Sequence, residues 1–218
     1  MIEREETFAQ LLGGRGAALD ATLPSVAFVA GWLLTNHSVG WAALIAVAAA
    51  VVVGAIRLFR GDKIRAVLVG AFVVSVAALV ALYTGQAIDF FLVQLLSNAA
   101  SGLAFVVSWA VRWPLLGVII GALLGQRTRW RQDPDLVRAY GRATLVYATQ
   151  YVIRVLVFGY LWAQNDVVAS GVARVALSWP LYVVMLAPTW WAFRAALPSD
   201  HPGLRHPRRR LTPDTDPG

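Results

Sequence analysis

Six long apolar segments, joined by short polar connections, constrain this chain more than any other feature of its sequence. Each segment has about 17–27 residues, and a helix needs about 20 residues to cross the hydrocarbon core of a bilayer. The runs lack the strict alternation and the roughly 10-residue length of barrel strands. The pattern predicts an all-α polytopic membrane protein with six transmembrane helices, at Leu19–Thr35, Val39–Phe59, Ala66–Leu82, Leu103–Gly125, Tyr140–Trp162 and Val167–Phe193. The first segment is short, and with the second it also fits a re-entrant hairpin, which would leave the later topology unchanged.

Composition excludes several other classes. Hydrophobic residues make up 58% of the chain and charged residues only 14%, whereas a soluble domain has about 25% charged residues. There is no cysteine, which excludes a disulfide framework, a thiolate nucleophile and a Cys-based metal site. His37, His201 and His206 lie outside the apolar segments, so we expect no metal site and no cofactor in the membrane.

The basic residues predict the orientation of the spans. Sixteen of the 19 lie before the first span, after the last one, or in the second and fourth connections together with the span ends that adjoin them, at Arg57 and Arg142. None lies in the alternate connections 36–38, 83–102 and 163–166. Because positive residues stay on the cytoplasmic side, both termini are predicted to be cytoplasmic. The net charge of +7 then reflects topology and attraction to anionic headgroups, and we expect no nucleic-acid partner.

These patterns divide the chain into three parts. Residues 1–18 form a cytoplasmic N-terminal segment, residues 19–194 a six-helix transmembrane domain, and residues 195–218 a Pro- and Arg-rich disordered cytoplasmic tail. The longest outer connection, 83–102, carries an apolar stripe at helical spacing that is typical of an amphipathic helix in the outer interface. Arginine outnumbers lysine 18 to 1, a composition typical of GC-rich bacterial genomes, and we expect a bacterial plasma membrane.

Three arginines lie deep inside predicted spans: Arg112, Arg154 and Arg174. Intramembrane charges are costly and usually functional or paired. Counted from the predicted span ends, each lies about 10–14 Å below the outer surface. Together they predict an outward-facing site for an anion or a lipid headgroup. Polar residues at helical spacing beside them extend this candidate ligand-binding site, namely Ser108, Gln150 and Ser178.

A purely structural role for the same arginines is the alternative. The predicted outer connections contain only two acids, Asp89 and Asp166, and these are the expected partners. Asp89 is predicted to pair with Arg112, which lies on the next span. Tryptophans that precede prolines, at Trp113-Pro114 and Trp179-Pro180, predict kinks in the fourth and sixth spans.

The sequence contains no arrangement of residues that is typical of a catalytic site. No serine has a nearby histidine base, no Gly-x-Ser-x-Gly elbow occurs, and paired intramembrane carboxylates are absent, so no catalytic residue is assigned. Two functions remain: a transport-like protein with the outward anion site, or a non-transport envelope scaffold or accessory subunit. Six helices are few for a two-lobed carrier, so we expect a transporter of this kind to be a homo-oligomer.

Several motifs resemble one known family, the actinobacterial multi-pass membrane proteins called domain of unknown function 3159. The resemblance covers nearly all of the chain up to Arg194. It implies a bacterial plasma-membrane location, carries no assigned activity and adds no catalytic residue. The matching stretches are Leu12-Gly13-Gly14-Arg15-Gly16 with Asp20 and Pro24, Thr84-Gly85, Asp89-Phe90-Phe91-Leu92, Asn98-Ala99-Ala100, Val111-Arg112-Trp113-Pro114-Leu115, Trp130-Arg131-Gln132-Asp133-Pro134 and Trp179-Pro180-Leu181-Tyr182.

Overall fold

The computed structural model describes residues 14–125 and 128–196 of the 218-residue chain. The predictions for the N-terminal segment 1–18 and the tail 195–218 fall almost wholly outside these ranges. Within them, all regular structure is helical, with two short 3₁₀ turns at Ala87–Phe91 and Arg129–Gln132. The α-helices are α1 (Gly14–Leu34), α2 (Val39–Phe59), α3 (Ile64–Thr84), α4 (Leu92–Ala110), α5 (Leu115–Leu123), α6 (Pro134–Ala163), α7 (Val167–Ala176) and α8 (Trp179–Ala196).

Four helical stretches are long and apolar enough to cross a membrane: Val39–Phe59, Ile64–Thr84, Ala87–Ala110 and Pro134–Ala163. The pair Val167–Ala176 and Pro180–Ala196 is a fifth candidate if the two helices, bent by 45°, form one broken span. The apolar part of α1, Thr22–Leu34, is shorter. The all-α membrane class is therefore confirmed, with four to five candidate spans among the described residues.

The fourth segment was placed wrongly by the sequence pattern. It was expected at Leu103–Gly125, after an interfacial helix that ended at Gly102. Instead, one helical stretch runs through Gly102 from Ala87 to Ala110, and Leu115–Leu123 forms a separate helix of nine residues. The predicted interfacial helix is thus the first half of a candidate span.

The physical reason lies at the end of α4. Trp113 donates its backbone N–H to Ser108 O at 2.8 Å, and Arg112 donates its own to Trp109 O at 3.0 Å. Arg112 has a φ of 55°. These features make a Schellman C-cap with Arg112 in the left-handed position. A residue before proline avoids the helical region, so the helix does not continue through Trp113. Pro114 is then the N-cap of the next helix.

Pro180 acts in a similar way at the predicted sixth span. α7 ends at Ala176 and α8 begins at Trp179, so Pro180 lies in the first turn of α8, where proline costs no hydrogen bond. The two helices are bent by 45° at this break, and a kink within a single sixth span stays a prediction. Pro188 lies inside α8.

Contacts divide the described chain into two compact units. The first unit contains residues up to Ser97 together with Val155–Pro180. In its core, Phe28 stacks on Phe90 with ring centroids 4.0 Å apart, and Phe91 lies edge-on to both rings. Small side chains let α2 and α3 pack closely, as is common between membrane helices; they are Ala42, Ala43, Ala46, Ala77, Ala78 and Ala81.

The second unit contains Asn98–Arg154 and the chain from Leu181 onward. Here α4 and the first part of α6 run antiparallel. A Cβ at Gly102 would lie 3.1 Å from Tyr151, and one at Gly141 would lie 3.7 Å from the indole of Trp109. At the end of this pair, α5 packs on the buried Trp130, whose ring would lie 2.8 Å from a Cβ at Gly117. Only glycine fits there without a shift of the indole.

The surface of both units carries many large apolar side chains. More than half of the side chain is exposed at a set of residues spread over the candidate spans, including Val51, Val69, Phe72, Leu79, Leu103, Leu156 and Val172. A soluble protein rarely exposes so many large apolar side chains to water. This surface is the one expected of helices that face lipid.

Candidate functional site

Arg174 occupies a polar position inside the first unit. It lies near the C-terminal end of α7, is half-buried, and donates from Nη1 to Oε1 of Gln94 at 2.5 Å. A guanidinium has five N–H donors, and Gln94 accepts from one of them. Gln94 lies two residues into α4. Arg174, which was predicted on the sixth span, therefore bonds to a neutral amide. The amide does not neutralise the positive charge of Arg174.

A cavity of about 210 Å³ lies beside Arg174. Pro24 of α1 contributes to its wall, and Arg57 of α2 lines it together with Arg174. The other lining residues, from α2 and α3, are alanine, valine and glycine. Among the described residues no carboxylate lines this cavity, so the two charged side chains in its wall are both cations.

Arg57 lies near the C-terminal end of α2 and is oriented by a neighbouring acid. Its Nε is 2.7 Å from Oδ2 of Asp62, and the Arg57 side chain is 22% exposed. Asp62 lies in the α2–α3 connection, outside the cavity lining. The ion pair holds the Arg57 guanidinium near the connection between α2 and α3. Arg57 also lines the cavity there.

A smaller cavity of about 30 Å³ also borders Arg174. Ser25, Gln94 and Ser97 supply polar groups to its wall. This volume is enough for one water molecule, and the site offers the two or more polar partners that a buried water needs. Arg174 thus lines both cavities, and the smaller one has more polar groups in its wall.

Arg154 has a different environment, in the second unit. It is 6% exposed, and its Nη1 donates to the Tyr182 hydroxyl at 3.2 Å. The guanidinium also lies over two aromatic rings, 4.6 Å from the Tyr182 centroid and 5.8 Å from the Tyr151 centroid. Such cation–π contacts contribute about 2 kcal/mol when desolvated. Arg154 is therefore held in a tyrosine cage formed by α6 and α8.

Gln150 lies one helical turn before Arg154 on the same face of α6. Its side chain is fully buried, and neither Oε1 nor Nε2 has a hydrogen-bond partner among the described residues. An unpaired buried amide costs about 1–3 kcal/mol. The predicted role of Gln150 in ligand binding stays a prediction.

Arg112 was predicted inside the fourth span but lies just after the end of α4. It is exposed and follows α4 as the left-handed residue of the C-cap, so its predicted position inside a span was wrong. The next residue, Trp113, stacks under Arg131, whose Cζ lies 3.7 Å from the indole centroid. Arg112 therefore neighbours the basic segment before α6.

The two acids of the predicted outer connections have partners within the first unit. Oδ1 of Asp89 accepts a hydrogen bond of 2.8 Å from Nε1 of Trp162, and Asp89 is 6% exposed. Asp166 is the N-cap of α7, where its side chain accepts from the backbone N–H of Ala169 at 2.8 Å. Asp89 and Arg112 belong to different units, and their pairing stays a prediction.

The two serines of the predicted site have local partners. The Ser108 hydroxyl donates to Phe105 O at 2.7 Å and accepts from the backbone N–H of Leu115 at 3.3 Å. It therefore helps to cap α5, together with Thr144, whose Oγ1 accepts from Leu116 N at 3.4 Å. The Ser178 hydroxyl donates to Val175 O at 2.6 Å, just beyond α7.

These positions bring some of the predicted site residues together. Ser108, Gln150 and Arg154 belong to the second unit, whereas Arg174 and Ser178 belong to the first. A single vestibule for all three arginines stays a prediction. Sequence reasoning missed Gln94, Tyr182 and Arg57 as neighbours of these arginines. Gln94 offered a signal, as a lone amide in an apolar stretch, but Arg57 was assigned only to orientation.

Comparison with known families gives one match. The family model described as a protein of unknown function, DUF3159, matches residues 12–200. The chain belongs to this family. The match includes all six predicted spans and every residue of the candidate site. No curated protein and no solved structure gives a significant match.

Proposed function

We propose that this chain is a six-span protein of the bacterial plasma membrane that binds an anionic ligand at Arg174 in a transport-like role. One observation carries the proposal: the cavity beside Arg174 has a second cation, Arg57, and no acid among the described residues of its lining. Cations within membrane spans are costly, and they commonly mark substrate or ion pathways. Arg57 is already paired with Asp62, so an anion would offset the charge of Arg174, with the Arg57 guanidinium as a second hydrogen-bond donor.

The proposed six spans are α1, α2, α3, the stretch Ala87–Ala110, α6, and the broken pair α7–α8. α5 has nine residues and is about 14 Å long, too short to cross, so it returns to the side from which it enters. In this topology both termini are cytoplasmic. It also puts Arg112 on the cytoplasmic side beside Arg131, in agreement with the positive-inside rule.

The transport-like role is supported by interrupted helices. α4 and α5 are separated by a proline break in the second unit, and α7 and α8 by a 45° bend. Discontinuous helices near charged groups are typical of transporter binding sites. A scaffold or accessory subunit is the alternative, and it requires no anion at the cavity.

Thermal melts of the purified full-length protein in mild detergent test the proposal. Wild type, Arg174→Gln and Arg154→Gln would be melted with and without inorganic phosphate, carboxylates and anionic phospholipids. We expect anions to stabilise wild type and Arg154→Gln but not Arg174→Gln. Arg154→Gln should lower the unliganded melting temperature, because it removes a cation that stacks on two tyrosines. No anion-dependent shift in wild type would leave the scaffold alternative in place.

A further inference from the structure

The cavity lined by Arg57 and Arg174 is open toward the lipid-facing surface of α3. Val73 lines it and is 41% exposed, and Gly70, which also lines it, is exposed. Beside these residues, Val69 and Phe72 are both more than 60% exposed. A ligand could therefore enter sideways from the bilayer, without passing through an aqueous mouth.

The walls of the cavity favour a ligand that is partly apolar. Apart from the two arginines, every described lining residue is alanine, valine, glycine or proline. A small free anion would lose its water against such walls and regain hydrogen bonds from the guanidinium groups alone, which is costly. A phosphate that carries hydrocarbon chains would bury those chains as well.

The size of the cavity favours the same class of ligand. Pockets that enclose a drug-sized ligand measure about 300–1,000 Å³, and this cavity measures about 210 Å³. It would hold a headgroup and the nearest chain carbons, while the remaining chain lies along the exposed valines of α3. Along α3, the lining extends from Val67 to Val74, a rise of about 10 Å from the Arg57 end toward Arg174.

We propose that this cavity is a binding site for an anionic phospholipid. This inference rests on the proposed function, of which it names the ligand class. Arg57 and Arg174, toward opposite ends of the cavity, supply the positive charge that the headgroup requires, and a guanidinium group binds phosphate oxygens in a bidentate manner. The acyl chains leave between α2 and α3. Basic pockets between membrane helices on the cytoplasmic side are known to bind such headgroups.

The test compares lipids that share their chains or their headgroup. Delipidated full-length protein is titrated in detergent with phosphatidylglycerol, phosphatidylcholine of the same chains, or glycerol phosphate, and binding is followed by native mass spectrometry and thermal shift. Arg57→Gln and Arg174→Gln are expected to weaken phosphatidylglycerol binding about tenfold or more, because each removes a charged hydrogen bond. Arg65→Gln is the matched control, since Arg65 is exposed on the same hairpin and lies outside the cavity; its affinity should stay within about twofold of wild type.

A second variant keeps the test valid if an arginine variant does not fold. A Cβ added at Gly70 would meet no atom within 4 Å, so Gly70→Leu should fold, fill part of the cavity and weaken lipid binding. The lipid site would be overturned if phosphatidylcholine bound as tightly as phosphatidylglycerol. It would also be overturned if Gly70→Leu and both arginine variants bound phosphatidylglycerol as tightly as wild type. Binding of glycerol phosphate as tight as that of the lipid would also overturn it but leave the proposed function standing. If no anion of either kind binds, both proposals fall.

Discussion

Trp162 donates its indole N–H to the buried carboxylate of Asp89 at 2.8 Å, and this bond joins the end of α6 to the 3₁₀ turn before α4. The two residues are 73 positions apart in the sequence. The turn itself carries Phe90 and Phe91, which pack on Phe28. The hydrogen bond therefore fixes the start of a candidate span against the core of the first unit.

Loss of this bond should be measurable as stability. Trp162→Phe is expected to lower the free energy of unfolding by about 1.5–3 kcal/mol, because it leaves a buried carboxylate without its donor. Denaturation in mild detergent would compare Trp162→Phe, Asp89→Ala and the double variant. We expect strongly non-additive losses. A second cycle, of Asp89→Ala with Arg112→Gln, tests the pairing that the sequence predicted. If this second cycle is non-additive and the first is additive, Arg112 and not Trp162 is the partner of Asp89.

Arg112→Gly should stabilise the protein. Arg112 holds a φ of 55°, which costs an L-residue about 1 kcal/mol and glycine almost nothing. Its exposed side chain adds little to offset that cost. Asn165→Gly is the control, because Asn165 has a φ of 56° but asparagine tolerates this region. A loss of stability in Arg112→Gly would reveal a side-chain contact with a structural or binding role.

Cysteine labelling tests the proposed topology, since the chain has no native cysteine. Val111 is the decisive position: it follows Ala110, the last residue of the candidate span, and its side chain is 64% exposed. A cysteine there should react with an impermeant reagent only after the cells are permeabilised. A span at 103–125 would bury it in the bilayer and prevent labelling in both conditions. Outer controls are His37, Gln86 and Asn165, and inner controls are Asp62 and Gln132.

Ser108 and Ser178 separate a capping role from a binding role. Ser108→Ala removes the acceptor for the first N–H of α5 and should lower the free energy of unfolding by about 1 kcal/mol. Ser178→Ala removes only a bond to Val175 O and should cost less than about 0.5 kcal/mol. If either serine binds the ligand, its alanine variant would instead reduce the anion-dependent shift and spare the unliganded protein.

Gln150→Leu should raise the free energy of unfolding by about 1 kcal/mol or more. The substitution replaces a buried amide, which has no partner among the described residues, with an apolar side chain of similar size. Gln94→Leu is the matched control and should destabilise, because Gln94 accepts a hydrogen bond from Arg174. A comparable loss in Gln150→Leu would contradict this prediction and show that the Gln150 amide binds water or a ligand.

The sequence alone determined where most of the membrane helices lie. The second segment, Val39–Phe59, has the same bounds as α2, because hydropathy decides whether a segment can occupy the bilayer and charged residues mark its ends. The prediction of the fourth segment was wrong, because α4 and α5 are both apolar and hydropathy does not detect the break between them. That break depends on a backbone cap at Arg112 and on Pro114.

Only the tertiary structure decided which polar residues meet. Arg57 and Arg174 are far apart in the sequence but line one cavity, and Asp89 bonds to Trp162 although Arg112 was the predicted partner. Helical periodicity assigns a side chain to one face of its own helix. It carries no information on which other helix covers that face. The packing of α1, α2, α3 and α7 supplies that information, and with it the candidate site.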